Sequence, residues 1–425
     1  MKNPYQRTVL DNDIRVITCN MPAKLSVALG VWIKAGGRNE TKENKGIAHF
    51  LEHMCFKGSL KYSCRKIKES IEGVGGSLNG FTSEELTCYL AKLPRRHLNL
   101  ALDVLCDMSI NPILDAAEIE KERTVILEEI KMYRDLPQSY VHDLLDELLW
   151  PRHPLGMSIV GCRESVQKTG RKDLEVFKDE YYNPANITIS ACGGLNHVQL
   201  VKSLNNIFSQ LKRGRVSNPP PVSEKQDKPQ LKILVKDTEQ THLALGFQGF
   251  KRDHPLRHAL GLLHVILGAN MSSRLFDELR EKKGLAYEIG TQVKRFQDTG
   301  AFLVHAGIDN LKVAEAIALI LKELGKMKDE LVTTDEYQRA KEFYLGQLSL
   351  GLEDTLDHML WIGESTVTLD KAYSLDEIIK EVNKIKRQDI RTVARSIFKE
   401  QNLNLALIGP LKENQKSIGE KLHLS

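Results

Sequence analysis

RKDLEVFKDEYYNPANITISACGGL at residues 171–195 and RQDIRTVARSIFKEQNLNLALIGPL at residues 387–411 are the two stretches on which the fold turns. Each opens with Arg-x-Asp and a large aliphatic residue (Arg171, Asp173, Leu174; Arg387, Asp389, Ile390). Each then reads as a helix up to an asparagine, Asn186 or Asn402. An alternating apolar run through Ile189 or Leu405 follows and ends at glycine, in Gly194-Leu195 or Gly409-Pro410-Leu411. The offset is 216 residues at Asp173/Asp389 and again at Asn186/Asn402. Chance likeness between two helix–strand units does not hold one offset over such a length, so internal duplication is the better explanation.

Midway lies GRVSNPPPVSEKQDKPQ, Gly214 to Gln230. Pro219, Pro220 and Pro221 forbid a helix and favour extended polyproline II, so the segment reads as a linker. Expected domains are therefore 1–213, a linker at 214–230, and 231–425. Strands such as 26–33 and 243–247 mix with long helical stretches. The expected fold class is α/β (α+β): two duplicated domains, each a mixed sheet packed by helices.

Composition narrows the function. The 425 residues are 41% hydrophobic and 27% charged, with a net charge of +4. That excludes a largely disordered chain and gives no argument for a nucleic-acid surface. No run approaches the length of a membrane-spanning helix. The start lacks an apolar signal region, and Asp11 and Asp13 argue against a transit peptide, so a cytoplasmic protein is expected. Seven scattered cysteines, all in the first half, suggest neither a disulfide framework nor a cysteine-rich zinc site. Arg95-Arg96-His97 reads as solvated surface, with the capacity to contact an acidic partner.

The densest chemistry is Gly46-Ile47-Ala48-His49-Phe50-Leu51-Glu52-His53-Met54-Cys55-Phe56-Lys57-Gly58. At helical periodicity Ile47, Leu51, Met54 and Cys55 share one face, and His49, Glu52 and His53 the opposite one. Two histidines one turn apart can reach one zinc ion, with the intervening carboxylate beside them but free of the metal. The alternative is two histidines on the surface of an amphipathic helix. The pattern His-x-x-Glu-His is the inverted zinc-peptidase motif.

Residues 116–135 (AAEIEKERTVILEEIKMYRD) read as a helix with Ile119, Ile126, Ile130 and Tyr133 on one face. Glu122 and Glu129 fall in that stripe, whereas Glu128 points away. Carboxylates in an apolar stripe are costly unless a cation compensates them, or unless they sit at its margin and reach water. Beside the histidine motif, Glu129 is the expected third ligand and Glu122 a supporting carboxylate.

These residues resemble the insulinase/pitrilysin family of zinc peptidases, most closely its short branch containing the mitochondrial processing peptidase. That family carries a glutamate about 76 residues past the second histidine, where this chain has Glu129, and another seven before it, where it has Glu122. Glu122-Arg123-Thr124-Val125-Ile126-Leu127-Glu128-Glu129 and Trp150-Pro151-Arg152-His153-Pro154-Leu155-Gly156 look like family segments. In the second half, Ser272-Ser273-Arg274-Leu275-Phe276 leads to Arg280 through Tyr287, matching the family's Arg/Tyr spacing. That half has no His-x-x-Glu-His; its corresponding helix, 259–269, holds only His264, which reads as a core residue.

The resemblance implies a zinc endopeptidase with one Zn2+ per chain on His49, His53 and Glu129. Glu52 would act as general base, with Glu122, Arg280 and Tyr287 as further catalytic residues. On sequence alone, Arg280 and Tyr287 read equally as a salt-bridged arginine and a core tyrosine. The family's substrate edge maps to Asn79, Gly80, Phe81 and Thr82; without it, Gly75 to Thr82 is an ordinary glycine-rich turn into a hairpin. Implied partners are peptides or unstructured presequence-like segments, and a second copy in a homodimer whose chamber holds shared active sites. A noncatalytic scaffold subunit of a larger complex is the alternative, and a structural zinc domain a weaker one, because Glu52 would then have no use.

Overall fold

In the computed structural model, which describes residues 4–411 except 217 and 224, together with 418 and 423, the repeated stretches form the same two elements twice. Helix Arg171–Tyr181 leads into a strand at Ile187–Gly193, and helix Arg387–Ile397 into one at Asn404–Gly409. Both strands are buried at every residue. Covered on both faces, they are apolar almost throughout, as strands at the centre of a layered sheet are.

The first sheet contains β1 (Tyr5–Val9), β2 (Arg15–Asn20), β3 (Ser26–Ile33), β4 (Ser77–Thr82), β5 (Thr87–Pro94) and β6 (Ile187–Gly193). Their order is β1-β2-β6-β3-β5-β4. The second contains β7 (Gln230–Val235), β8 (Gln240–Gly249), β9 (Ala286–Arg295), β10 (Gly300–Asp309) and β11 (Asn404–Gly409), in the order β7-β11-β8-β10-β9. β2 and β6 pair in parallel, as do β7 and β11; the remaining neighbours are antiparallel. The five strands from β2 to β4 thus repeat as β7 to β9, with β1 added at one edge.

The ladders carry the correspondence between the halves to the far edge strand. Ile189 faces Val31, which faces Tyr89, which faces Gly80. Leu405 faces Leu245, which faces Val304, which faces Thr291. Gly80 and Thr291 are therefore counterparts.

Two compact units result: Met1–Lys131, Ser158–Pro220 and Leu348–Glu377 form one, and Met132–Met157, Pro221–Gln347 and Ile378–Ser425 the other. The division falls inside the proline run but is not contiguous along the chain, as 1–213 and 231–425 would be. Each sheet has two apolar faces to cover. In the first unit, Leu29, Val31 and Tyr89 pack under helices of the same half, including Phe50 and Leu51. Its other face, with Trp32 and Cys88, is covered by Met359 and Ile362 of helix Thr355–Leu369. In the second unit, Leu245, Phe247 and Phe302 pack on Leu263 of helix Arg257–Gly268. Val141 and Leu145 of helix Pro137–Leu149 cover Ala244 and Leu303 on the opposite face. Helix periodicity shows that a helix has an apolar stripe, not which sheet receives it. Among the described residues no helix is long and apolar enough to cross a membrane.

Candidate active site

Helix Ile47–Cys55 begins at Gly46, whose φ of 91° is left-handed. A Cβ there would also stand 2.8 Å from Gly161 Cα and from Val160 O, so both backbone and packing require glycine. Glu40 holds the helix start: its carboxylate accepts from Gly46 N at 3.0 Å and Ala48 N at 2.8 Å. Its side chain is fully buried and paired with Lys45 Nζ at 3.1 Å. A carboxylate against the first amides of a helix is stabilised by the positive end of the helix dipole. Glu40 lies in a loop and gives no periodic signal, which is why sequence patterning passes over it.

The helix is covered on both faces. Ile47, Leu51, Met54 and Cys55 enter the core as expected, but His49 and Glu52 are also buried, at 8% and 7% exposure. His49 is therefore not a surface histidine, while His53 is half-buried. The two imidazoles meet edge to face one turn apart, with centroids 4.5 Å from each other and planes inclined at 64°. Helix Ala116–Asp135 brings Glu129 to them: its Oε2 lies 3.7 Å from His49 Nε2 and 3.8 Å from His53 Nε2. These ligand atoms lie within 4.8 Å of one another, the one such group of three among the described residues. A tetrahedral zinc with bonds of about 2.0–2.1 Å needs ligand atoms about 3.3 Å apart, so the two separations from Glu129 need close by only a few tenths of an ångström to accept the ion.

The protonation state of His49 also suits a metal. Burial, aided by neighbouring His53, pushes His49 down to about 3, leaving the neutral ring that ligation needs. The Nδ1 atom of His49 is buried and has no hydrogen-bond partner among the described residues. For His53, burial acts downward, but the hydrogen bond to Glu122 and the charges of Glu52, Glu129 and Glu122 outweigh it, and its pKa rises. Glu122 Oε2 lies 3.0 Å from His53 Nδ1, and its Oε1 pairs with Lys57. With the proton on Nδ1, the lone pair of Nε2 is turned towards Glu129 and His49. Burial works to raise the Glu122 pKa, yet the contacts from His53 and Lys57 prevail and lower it. Burial raises Glu129, partly opposed by His53.

Glu52 stands beside these groups and outside the ligand triad. Burial lifts its carboxyl to about 7, with His53 opposing and Glu129 reinforcing. A dication on the neighbouring ligands would act in the opposite sense. Thr82 Oγ1 donates to Glu52 Oε2 at 3.5 Å, the limit of a hydrogen bond. Glu128 is exposed against Lys131, as its place outside the stripe predicts; Tyr133, expected in that stripe, is 38% exposed.

The segment Asn79 to Thr82 belongs to β4, an edge strand paired only to β5. Gly80 faces the helix so closely that a Cβ would lie 2.8 Å from Glu52 Oε1 and 2.9 Å from Phe56 Cζ. Alternation turns Asn79 and Phe81 to the opposite face, where Phe81 meets Trp32 edge-on at 6.0 Å. Asn79 Oδ1 accepts from Gly80 N at 2.8 Å. In the second unit, Arg280 sits over the Tyr287 ring at 5.0 Å and over Phe276 at 4.7 Å. Tyr287 is 75% exposed and so is not a core residue. Among the described residues the carboxylate within reach of Arg280 is that of Glu281, a long contact of 3.9 Å. His264 is half-buried and bonded to Thr291 Oγ1 at 2.7 Å, so its ring is satisfied by a hydrogen bond at the edge of the core rather than enclosed within it as expected.

The profile of the family described as insulinase (Peptidase family M16) matches residues 15–163, and that described as the peptidase M16 inactive domain matches residues 169–344. A Bacillus subtilis protein described as an uncharacterized zinc protease is 38% identical over 95% of this chain and 98% of its own length. A Streptomyces coelicolor protein of the same description is 34% identical over 97% of this chain and 91% of its own. The crystal structure of a protease from Helicobacter pylori superposes with a TM-score of 0.88 at 25% identity, covering 96% of this chain and 99% of that one. These descriptions do not favour the scaffold alternative.

Proposed function

The chain belongs to the insulinase family of zinc peptidases, Peptidase family M16, and from that premise we propose that it is an endopeptidase of extended, unstructured peptides. His49 Nε2, His53 Nε2 and Glu129 Oε2 would hold one zinc ion per chain. The convergence of these three atoms, at 3.7 and 3.8 Å across two helices, is the main support. Bound zinc supplies Lewis acidity that brings the ionisation of water towards neutral pH and polarises a carbonyl. Glu52 takes a proton on its carboxylate and returns it to the leaving amine. Its support is its position: buried, beside the ligands and outside the triad they form. Glu122 keeps the His53 proton on Nδ1.

The free edge of β4 pairs with the peptide backbone, giving affinity with little sequence selectivity and favouring unfolded, presequence-like segments over folded proteins. Gly80 leaves the strand room to lie against Glu52. Arg280 and Tyr287 serve as substrate and transition-state contacts in a homodimer with shared sites enclosed in a chamber. Their mutual packing and the exposure of Tyr287 leave the pair available to a peptide.

Two measurements test this. Metal analysis with fluorogenic-peptide hydrolysis, before and after chelation, is expected to show stoichiometric zinc and chelator-sensitive cleavage. Stoichiometric zinc without hydrolysis across a broad peptide panel would return the protein to the scaffold class. Mixing His49→Ala with Arg280→Ala protomers should restore part of the activity if sites are shared. No recovery despite verified subunit exchange counts against sharing.

A further inference from the structure

We infer that the basic corner formed by Arg95 and Arg96 is a carboxylate-binding subsite for the part of a peptide C-terminal to the scissile bond. The inference rests on the reading of β4 as the substrate edge. Ser77, the first residue of β4, pairs with Lys92, and β5 ends at Pro94, where the turn Arg95–His97 begins. Against this end lies a hollow of about 660 Å³ lined by Leu25, Gly75, Ser77, Lys92, Arg95 and Arg96. Gly75, at φ 79°, has open space where a side chain would be, so the approach from β4 into the hollow is clear.

Charge selects the occupant. Lys92 is already answered by Asp354 at 2.6 Å. Arg95 Nη1 donates to Pro22 O at 3.1 Å, and Arg96 Nε to His97 Nε2 at 3.0 Å. Among the described residues neither guanidinium has a carboxylate within ion-pairing distance, and both residues are exposed. Two adjacent guanidinium forks with donors to spare suit a carboxylate, whether an acidic side chain or a terminal α-carboxylate.

Direction selects the side of the peptide. Glu52 meets β4 at Gly80 and Thr82, which sets the reacting centre near that end. Antiparallel addition is the more stable pairing, and it runs the C-terminal part of the peptide from there towards Ser77. At about 3.3 Å per residue, a carboxylate about four to six residues past the scissile bond reaches the corner.

The test uses the full chain loaded with zinc and two pairs of quenched peptides. One pair ends at that position as free acid or amide; the other carries Glu or Gln there within a longer amidated peptide. Exposed ion pairs are weak, so the expected acid-to-neutral ratio in kcat/KM is about threefold to tenfold, shrinking in high salt. In the Arg95→Ala/Arg96→Ala double variant the ratio should fall to about one, and in Arg95→Glu/Arg96→Glu it should invert. A preference in either pair supports the subsite and identifies the source of the carboxylate. Cleavage of all four peptides with a ratio of one in the wild type overturns the subsite while leaving the peptidase reading intact. Should no peptide be cleaved, fluorescence anisotropy with the same peptides decides: acid-selective binding that the double variant loses sustains the subsite, and unselective or absent binding removes it.

Discussion

Helix Ile47–Cys55 and helix Arg257–Gly268 occupy corresponding places in the duplicated sheets, and the strand opposite each makes the difference plain. At Gly80 the strand gives up its side chain, because Glu52 Oε1 and Phe56 fill that space. At its counterpart Thr291 the roles reverse. The threonine hydroxyl bonds His264, and the helix has the glycine: a Cβ on Gly268 would fall 2.6 Å from Thr291 Cγ2. Glu52 and Phe56 are four residues apart, as are His264 and Gly268, so His49 and His53 correspond to Gly261 and Val265. Tyr344 occupies the space beside Gly261, where a Cβ would meet its ring at 2.7 Å, and Val265 is buried at 5% exposure. One half therefore gathers ionisable groups (His49, Glu52, His53, Glu122 and Glu129) that are costly to bury without a cation, and the other fills the same room with packed rings and aliphatic groups. A duplicated scaffold thus tolerates both outcomes, and the choice lies in a handful of side chains.

The largest contrast between the halves should come from Glu52→Gln against His264→Gln. The first is expected to lower kcat by about 10²–10⁴-fold with zinc content retained. The second should lower Tm through the lost core hydrogen bond while zinc content stays the same. Equal kinetic losses in both variants would mean that the halves share the chemistry.

A smaller effect is expected from exchanging the strand residues. Gly80→Thr imports the second half's side chain into the space of Glu52 and Phe56, an overpacking that costs about 1–3 kcal/mol of stability, and by displacing Glu52 it is expected to lower kcat/KM by roughly tenfold. Thr291→Gly should instead cost about 1–2 kcal/mol of stability, read as a Tm shift, through the lost bond to His264. A Gly80→Thr enzyme with wild-type kcat/KM would show that β4 does not need that close approach.

The mildest test is pH. Burial pushes His142, His258 and His264 of the second unit each down to about 4. Between that value and the ordinary histidine range near 6.5, the unfolded chain binds more protons than the folded one. Stability therefore rises with pH, and it is lost as pH falls from about 7 towards about 4. Tm should drop between pH 7.5 and pH 5, and drop less in His264→Gln. An unaltered slope in that variant would remove His264 from the titration.

Much of this was legible in the chain. The offset between residues 171–195 and 387–411 announced two like units, and the elements that form there are the same pair twice. His49, Glu52, His53, Glu122 and Glu129 stood out because helical periodicity converts spacing into a shared face. Glu40 did not, because a carboxylate reaching helix amides from a loop leaves no period to read. Asn79 and Phe81 were grouped with Gly80 and Thr82 as one segment, yet alternation in β4 turns the two pairs to opposite faces.

By itself the sequence determined what is local: helix faces, the internal repeat, and which residue types could hold a metal. Tertiary structure alone decided that Glu129 and the two imidazoles converge, that helices Pro137–Leu149 and Thr355–Leu369 each pack on the sheet of the other half of the chain, and that Gly80 must lack a side chain. The physical reason is range. Periodicity orients a side chain about its own axis, whereas the distance between two axes is set by the packing of everything between them.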